Sequence, residues 1–191
     1  NLKSIDLQPD ARGRLTVNDH FQTTLPHVYA AGDVIGFPAL ASTWSSDVCS
    51  SDLHAFGHPD RMDTALLPYG IYAIPEISMV GRNEEELKRT DVPYGVGIAH
   101  YKEIARGQLI GDEAGMVKLL FHRHTRHLLG VHAIGEGATE LIHIGQAVIA
   151  FHGKIDYFID TVFNYPTLAE CYKVAALDGL NRLSRPWIPY L

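Results

Sequence analysis

Cysteine is scarce in this chain, and other marks of specialised protein classes are missing as well. The two cysteines, Cys49 and Cys171, lie far apart and form no Cys-x-x-Cys pair, which argues against a disulfide framework and favours a reducing cytoplasm. No run of about 18 apolar residues is present to span a membrane, and nothing at Asn1 is typical of a signal peptide. The formal net charge is −6, with no basic stripe, so we do not expect a nucleic-acid partner.

The composition is that of an ordinary globular protein, with 46% hydrophobic and 20% charged residues in a chain of 191. This length allows one large or two small domains. We place the end of one domain in residues 1–58 and a second domain in residues 59–191. The chain begins without methionine, within what reads as the middle of a sheet, so we expect it to be the C-terminal part of a longer protein.

The stretch around Gly32 and Asp33 is the first candidate site. A short buried strand is predicted over residues 28–31, it stops at Gly32, and a helix is predicted to begin at Pro38. Glycine lets a ligand approach the backbone, an ionised carboxylate such as that of Asp33 accepts hydrogen bonds from sugar hydroxyls, and a helix N-terminus attracts negative charge. The alternative is a strand, a turn and a helix in which Asp33 only forms the turn.

Residues 44–53 fit this scheme poorly. They contain four serines, two aspartates and a β-branched valine, which have middling or poor helix propensity. The run resembles translated sequencing-adapter read-through, so we treat it as a suspected artefact. A real but irregular helix is the competing interpretation, and resequencing the parent gene decides between the two.

The second block reads as an antiparallel sheet covered by helices, an α+β arrangement. Alternation and apolar runs predict the strands. The helices are predicted by an Asn83 cap with charged ends, by 3.6-residue periodicity over 136–152 and by an opening proline at 166. The predicted strands cover 69–73, 77–81, 94–100, 116–122 and 127–134, and the predicted helices cover 84–89, 136–152, 156–160 and 166–183.

The first candidate site resembles a known flavin motif. Residues 26–33 read Pro-His-Val-Tyr-Ala-Ala-Gly-Asp, which is similar to the second flavin motif of the two-dinucleotide-binding flavoprotein oxidoreductases. This resemblance implies that residues 1–58 are the incomplete α/β end of an FAD-binding domain. It implies that Gly32 and Asp33 bind FAD, with Asp33 on a ribityl hydroxyl, and that the helix start at Leu40 and Ala41 stabilises charge at the flavin edge.

The second candidate site is Phe-Asn-Tyr-Pro-Thr-Leu-Ala-Glu at residues 163–170. The whole second block resembles the dimerisation domain of the flavoprotein disulfide reductases, where this stretch reads His-Pro-Thr-x-x-Glu. In that family the histidine is the acid/base partner of a redox disulfide, and the glutamate orients it. The resemblance implies a homodimer formed through residues 59–191, with Tyr165 and Glu170 at the catalytic positions.

Tyr165 departs from the family pattern, because it stands where the family has histidine. A phenol, with an ordinary pKa of about 10, is a poor base for thiol chemistry. The departure favours the transhydrogenase branch of this family, of the Si-specific NAD(P)+ type. That branch uses FAD to pass hydride between NADPH and NAD+ and needs no thiol relay. We expect this chain alone neither to hold FAD tightly nor to turn over.

Two other functions stay open. One is a dihydrolipoamide dehydrogenase-like disulfide reductase, which a Cys-x-x-x-x-Cys pair upstream would distinguish. The other is a non-catalytic dimerisation module. Equally, Tyr165 can be a structural tyrosine before a helix-opening proline, and Glu170 a favourable acid near a helix N-terminus.

Four histidines crowd one predicted hairpin, and we considered them as zinc ligands. No cysteine or carboxylate completes the set, so we favour solvated hairpin histidines and predict no metal site. They are His122, His124, His127 and His132.

Overall fold

The computed structural model describes residues 2–36, 51–58 and 66–183. The chain separates into two compact units, Asn1–Leu67 and Pro68–Leu191. The domain boundary expected at residue 58 stays a prediction. The helix start at Pro38, with Leu40 and Ala41, lies outside the described residues, as do Cys49 and most of the suspected artefact.

The first unit has a small apolar core and little regular structure in its described part. Two 3-10 turns cover Leu2–Ile5 and Gly32–Ile35, and a short helix, α1, covers residues 51–55. Buried Leu7, Leu15 and Ala30 form the core. The partly buried side chains packed against it are Val17, Leu25, Val28 and Ile35.

The strand predicted over residues 28–31 is wrong. Only Tyr29 forms a bridge, with Gln22, and this bridge stands alone. Thr23 N donates to Val28 O and Ala30 N donates to Phe21 O, so the stretch is one arm of a very short hairpin closed by a turn at 24–27. The physical reason is that a β-strand over residues 28–31 needs a neighbouring strand longer than the three residues 21–23 that lie beside it. The assignment of this unit to an α/β domain therefore stays a prediction.

The second unit contains one five-stranded antiparallel sheet, which confirms the α+β prediction for this block. The strand order is β1-β2-β5-β4-β3, and every neighbouring pair is antiparallel. The strands are β1 Tyr69–Ile71, β2 Ile77–Gly81, β3 Tyr94–His100, β4 Met116–His122 and β5 Leu128–Ile134.

In the described part of this unit, five α-helices accompany the sheet, and α4 and α6 pack against it. They are α2 Glu84–Arg89, α3 Ala105–Ile110, α4 Ala138–Ala150, α5 Asp156–Asp160 and α6 Glu170–Leu183. α3 was missed. Its six residues are too few to show a helical period, and it lacks the capping side chain and the charged ends that mark the equally short α2. In the described part of the chain, no helix has both the length and the apolar character to cross a membrane.

The predicted helix at 136–152 begins later than expected, at Ala138. Gly135 and Gly137 have φ values of 126° and 66°, and these left-handed conformations do not continue a helix. The Glu76 carboxylate lies at the start of α4 and accepts hydrogen bonds from Thr139 Oγ1 at 2.6 Å and Thr139 N at 3.1 Å. Those two bonds hold the pKa of Glu76 below its ordinary value.

The last helix also begins later than predicted, at Glu170 rather than Pro166. Residues 165–169 form bends and turns, and the Thr167 hydroxyl donates to Asn164 O at 2.7 Å. This local side-chain bond competes with helical pairing, so the proline does not open the helix.

Helix α6 approaches strand β3 very closely, because the contact is made by glycine. A Cβ atom on Gly97 would lie 2.0 Å from Ala175 O, and one on Gly179 would lie 2.6 Å from Phe121 Cε1. Asp178 Oδ2 accepts a hydrogen bond from Ile98 N at 2.9 Å. An edge-strand N–H is thus satisfied by the helix that covers it.

Candidate functional site

The Gly32–Asp33 corner has a backbone suited to a close ligand approach. Gly32 is buried and has a φ of 76°, a backbone conformation that residues other than glycine rarely adopt. It opens the 3-10 turn Gly32–Ile35, in which Gly36 N donates to Asp33 O at 3.1 Å. Asp33 is exposed, and its carboxylate makes no hydrogen bond or ion pair with another described residue. These features give a solvent-facing acceptor on a fixed turn.

A side-chain contact that the sequence did not indicate fixes the segment leading into this corner. The Tyr29 hydroxyl lies 2.8 Å from Nδ1 of His54 in α1. The His54 ring stacks on the His20 ring, with centroids 4.2 Å apart and planes 13° apart. No sequence period links these three positions, so only the folded chain reveals their contact.

Tyr165 lies on an exposed loop of the second unit. Its side chain is 74% exposed, and the nearby Val162 is 90% exposed. Among the described residues, no hydrogen bond links Tyr165 to Glu170. The structure therefore places Tyr165 in the loop before α6 and Glu170 at the first position of that helix, without a hydrogen bond between their side chains.

Glu170 is the first residue of α6 and is partly buried. Its Oε2 atom is buried and has no hydrogen-bond partner among the residues that the structure describes. A buried carboxylate oxygen without a donor is costly, so this atom calls for a donor from outside the described chain.

The hairpin histidines serve the turn itself. Nδ1 of His122 accepts hydrogen bonds from His124 N at 3.3 Å and Thr125 N at 3.1 Å. His127 Nδ1 lies 3.0 Å from Thr125 Oγ1. His132 lies elsewhere, with Nε2 3.4 Å from Arg82 O. Within residues 2–36, 51–58 and 66–183, no group of three or more candidate ligands could hold a metal ion.

Cys171 is a fully buried thiol at the start of α6. Burial, with smaller contributions from the charges of Glu103 and Glu170, raises the pKa of Cys171 to about 12. Because the thiolate is the reactive form, this cysteine is unsuited to redox or nucleophilic chemistry.

We expect Cys171 to be inert towards thiol reagents in the folded protein. At pH 8 a thiol with that pKa is ionised in about one molecule in ten thousand. In a Cys49→Ala background, an aromatic disulfide reagent should label no thiol until denaturant is added and one thiol afterwards. Rapid labelling of the folded protein would show that Cys171 is accessible and contradict this account.

Residues 67–176 match the pyridine nucleotide-disulphide oxidoreductase dimerisation domain. The chain belongs to this family. The second unit is accordingly a dimerisation domain of the pyridine nucleotide-disulphide oxidoreductases, and the match covers the whole sheet, α2 to α5 and the first half of α6.

Curated relatives of this chain include several soluble pyridine nucleotide transhydrogenases. The chain is 51% identical to soluble pyridine nucleotide transhydrogenases from Mycobacterium tuberculosis and Hahella chejuensis, over 96% and 95% of its length respectively. It spans 39% and 40% of the length of those two proteins. The resemblance to the transhydrogenase branch is thus confirmed, for a chain well short of its relatives' full length.

Solved structures of the family share the fold. LpdA from Mycobacterium tuberculosis superposes with a TM-score of 0.81 at 24% identity, covering 93% of this chain and 39% of its own. The HOCl-induced flavoprotein disulfide reductase RclA from Escherichia coli gives a TM-score of 0.81 at 22% identity, covering 93% of this chain and 41% of its own. At these identities the likeness concerns the fold alone.

Proposed function

We propose that this chain is part of an FAD-dependent oxidoreductase that transfers hydride between NADPH and NAD+ in the cytoplasm. The observation that carries the proposal is the 51% identity to soluble pyridine nucleotide transhydrogenases over 96% of the chain. Tyr165 supports it, because a phenol lacks the imidazole's readiness to exchange a proton near neutral pH. The Si-specific type rests on the sequence resemblance.

Gly32 and Asp33 are the residues that would hold FAD in this chain. Gly32 has no side chain, and its positive φ is a conformation that glycine adopts readily, so a ligand can approach the backbone at this corner. The exposed Asp33 carboxylate can accept a hydrogen bond from a ribityl hydroxyl. When bound, FAD supplies the two-electron carrier that transfer between two nicotinamides needs. The proposed role of Leu40 and Ala41 at the flavin edge rests on the resemblance, since they lie outside the described residues.

The partner we propose is a second copy of the chain, docked through the second unit. Four large side chains in residues 151–165 are exposed in the single chain, and grouped exposed apolar side chains are typical of an interaction surface. They are Phe151 at 87%, Tyr157 at 49%, Val162 at 90% and Tyr165 at 74%. The buried Glu170 Oε2 without a donor adds a polar reason for a partner. In such a dimer Tyr165 and Glu170 would line the partner's flavin site.

A hybrid protein tests this function. In it, the chain replaces the matching portion of the Mycobacterium tuberculosis transhydrogenase, so that the relative's own upstream part is present. We expect the hybrid to retain flavin, to run as a dimer in light scattering and to reduce an NAD+ analogue with NADPH. A second hybrid keeps the relative's own residues at positions matching 44–53 and separates a failure of that segment from a failure of the function. A folded, flavin-loaded second hybrid without hydride transfer contradicts the proposal.

A further inference from the structure

Strands β4 and β5 carry a polar cluster on the face of the sheet opposite to α4 and α6. Val131 contacts the Gly145 position in α4, and Phe121 contacts the Gly179 position in α6. Since side chains alternate along a strand, Lys118 and His132 point to the opposite face. These two residues are direct register partners across β4 and β5, which puts their Cβ atoms about 5 Å apart.

The cluster joins α2 to the sheet. Glu84, the first residue of α2, accepts a hydrogen bond from Lys118 Nζ at 3.0 Å and one from the Tyr94 hydroxyl at 3.0 Å. Burial alone would raise the pKa of Glu84, but the bonds from Lys118 and Tyr94 outweigh it and the pKa falls below the ordinary value. Burial and the Glu84 carboxylate together raise the pKa of Tyr94 to about 12.

His132 is the member of the cluster whose ordinary pKa, about 6.5, lies near neutral pH. Its Nε2 lies 3.4 Å from Arg82 O, on the segment that leads into α2. Burial and then the Lys118 ammonium lower the pKa of His132, while the Arg82 carbonyl and the Glu84 carboxylate oppose that change. With α2 against the sheet, which we call the closed form, the neutral imidazole is favoured. Because a carbonyl oxygen only accepts hydrogen bonds, Nε2–H is then the donor to Arg82 O.

We infer that the His132–Lys118–Glu84 cluster is an acid-sensitive junction that holds α2 against the sheet. Protonation of His132 would place a second cation beside Lys118, and Glu84 is already engaged by Lys118 and Tyr94. An open form, in which α2 has separated and the imidazole is hydrated, binds that proton more readily.

The direction of the pH effect follows from linkage. The pKa of His132 is lower in the closed form than in the open form, so its contribution to closure is complete above the ordinary histidine value of about 6.5. That contribution is lost as the pH falls below this value. Glu84 keeps its charge over this range, because its own pKa is lowered, so the ion pair with Lys118 does not explain a change there.

Two measurements on the 191-residue chain test the junction. Histidine side-chain NMR should give a His132 midpoint below about 6.5. Hydrogen exchange, corrected for intrinsic rates, should show that the amides of residues 84–90 lose protection between pH 7.5 and 5.5 while those of β4 do not. A His132 midpoint at or above the ordinary value, or equal loss of protection across the whole unit, would overturn the inference.

Variants separate this junction from general acid sensitivity. His132→Gln keeps an N–H donor for Arg82 O and cannot be protonated, so it should abolish the pH-dependent loss at 84–90. His124→Gln removes an exposed turn histidine and should leave that loss unchanged. If both variants behave like the unsubstituted chain, His132 is not the sensor. If His132→Gln does not fold, the NMR midpoint in the unsubstituted chain decides alone.

Discussion

Replacing Gly97 with alanine is expected to destabilise the second unit by about 3 kcal/mol or more, the upper range for overpacking a tight contact. The new methyl carbon would lie 2.0 Å from Ala175 O, and backbone atoms cannot rotate away as a side chain can. α6 would have to move off β3, which also breaks the bond from Ile98 N to Asp178. Urea unfolding monitored by circular dichroism measures the loss.

The matched control for this substitution is Gly70→Ala in strand β1. Its Cβ would lie 3.3 Å from Thr139 Cγ2 and 3.7 Å from Cε2 and Cζ of Tyr72. All three are side-chain atoms, so a small shift of the Thr139 side chain accommodates the methyl group. We expect a change within about 1 kcal/mol, as for a substitution on a sheet edge. Equal urea midpoints for the two variants would show that α6 does not pack on β3 as described.

Replacing Asp33 with alanine in the hybrid is expected to weaken flavin retention on the order of tenfold to a hundredfold. The carboxylate would lose a charge-assisted hydrogen bond to a ribityl hydroxyl, which contributes about 1.5 to 3 kcal/mol. Asp33→Asn keeps an acceptor without the charge, so its flavin affinity should lie between those of the unsubstituted hybrid and Asp33→Ala. A fluorescence titration of the flavin-free hybrid with FAD gives the dissociation constant.

Asp19→Ala supplies the control for this experiment, since Asp19 is another exposed acid of the first unit. It should leave flavin affinity unchanged. If Asp33→Ala and Asp19→Ala retain flavin equally well in folded dimers, Asp33 does not bind the cofactor, whatever the activity of the hybrid.

The sheet of the second unit was predictable because each strand carries its own signal. The burial of β3 alternates along all seven residues, which is the period that a half-buried strand produces. Strands β4 and β5 were located for a similar reason, with a turn of four polar residues between them. Such local patterns need no knowledge of the rest of the chain.

Features that depend on distant residues were not predictable. The strand expected at 28–31 had suitable residues but found only Gln22 as a bridge partner. The start of α4 depends on Glu76, 63 positions from Thr139, and α6 begins late because of the Thr167 bond to Asn164 O. Propensity sets what a segment can form, and its partners decide what it does form.

The candidate site was only partly accessible from sequence. The residue types at Asp33, Tyr165 and Glu170 could be read directly, and so could their resemblance to family motifs. The exposure of Tyr165 and the missing donor for Glu170 Oε2 could not, because both depend on how the loop at 163–169 meets α6.

One measurement tests the central claim most directly: the acceptor used by the flavin-loaded hybrid when NADPH is the donor. With an NAD+ analogue and lipoamide offered at equal concentration, the account predicts reduction of the nicotinamide and none of the disulfide. Restoring histidine through Tyr165→His should not create lipoamide reduction, since Cys171 is buried and unreactive. Preferential reduction of lipoamide by the hybrid would contradict the account.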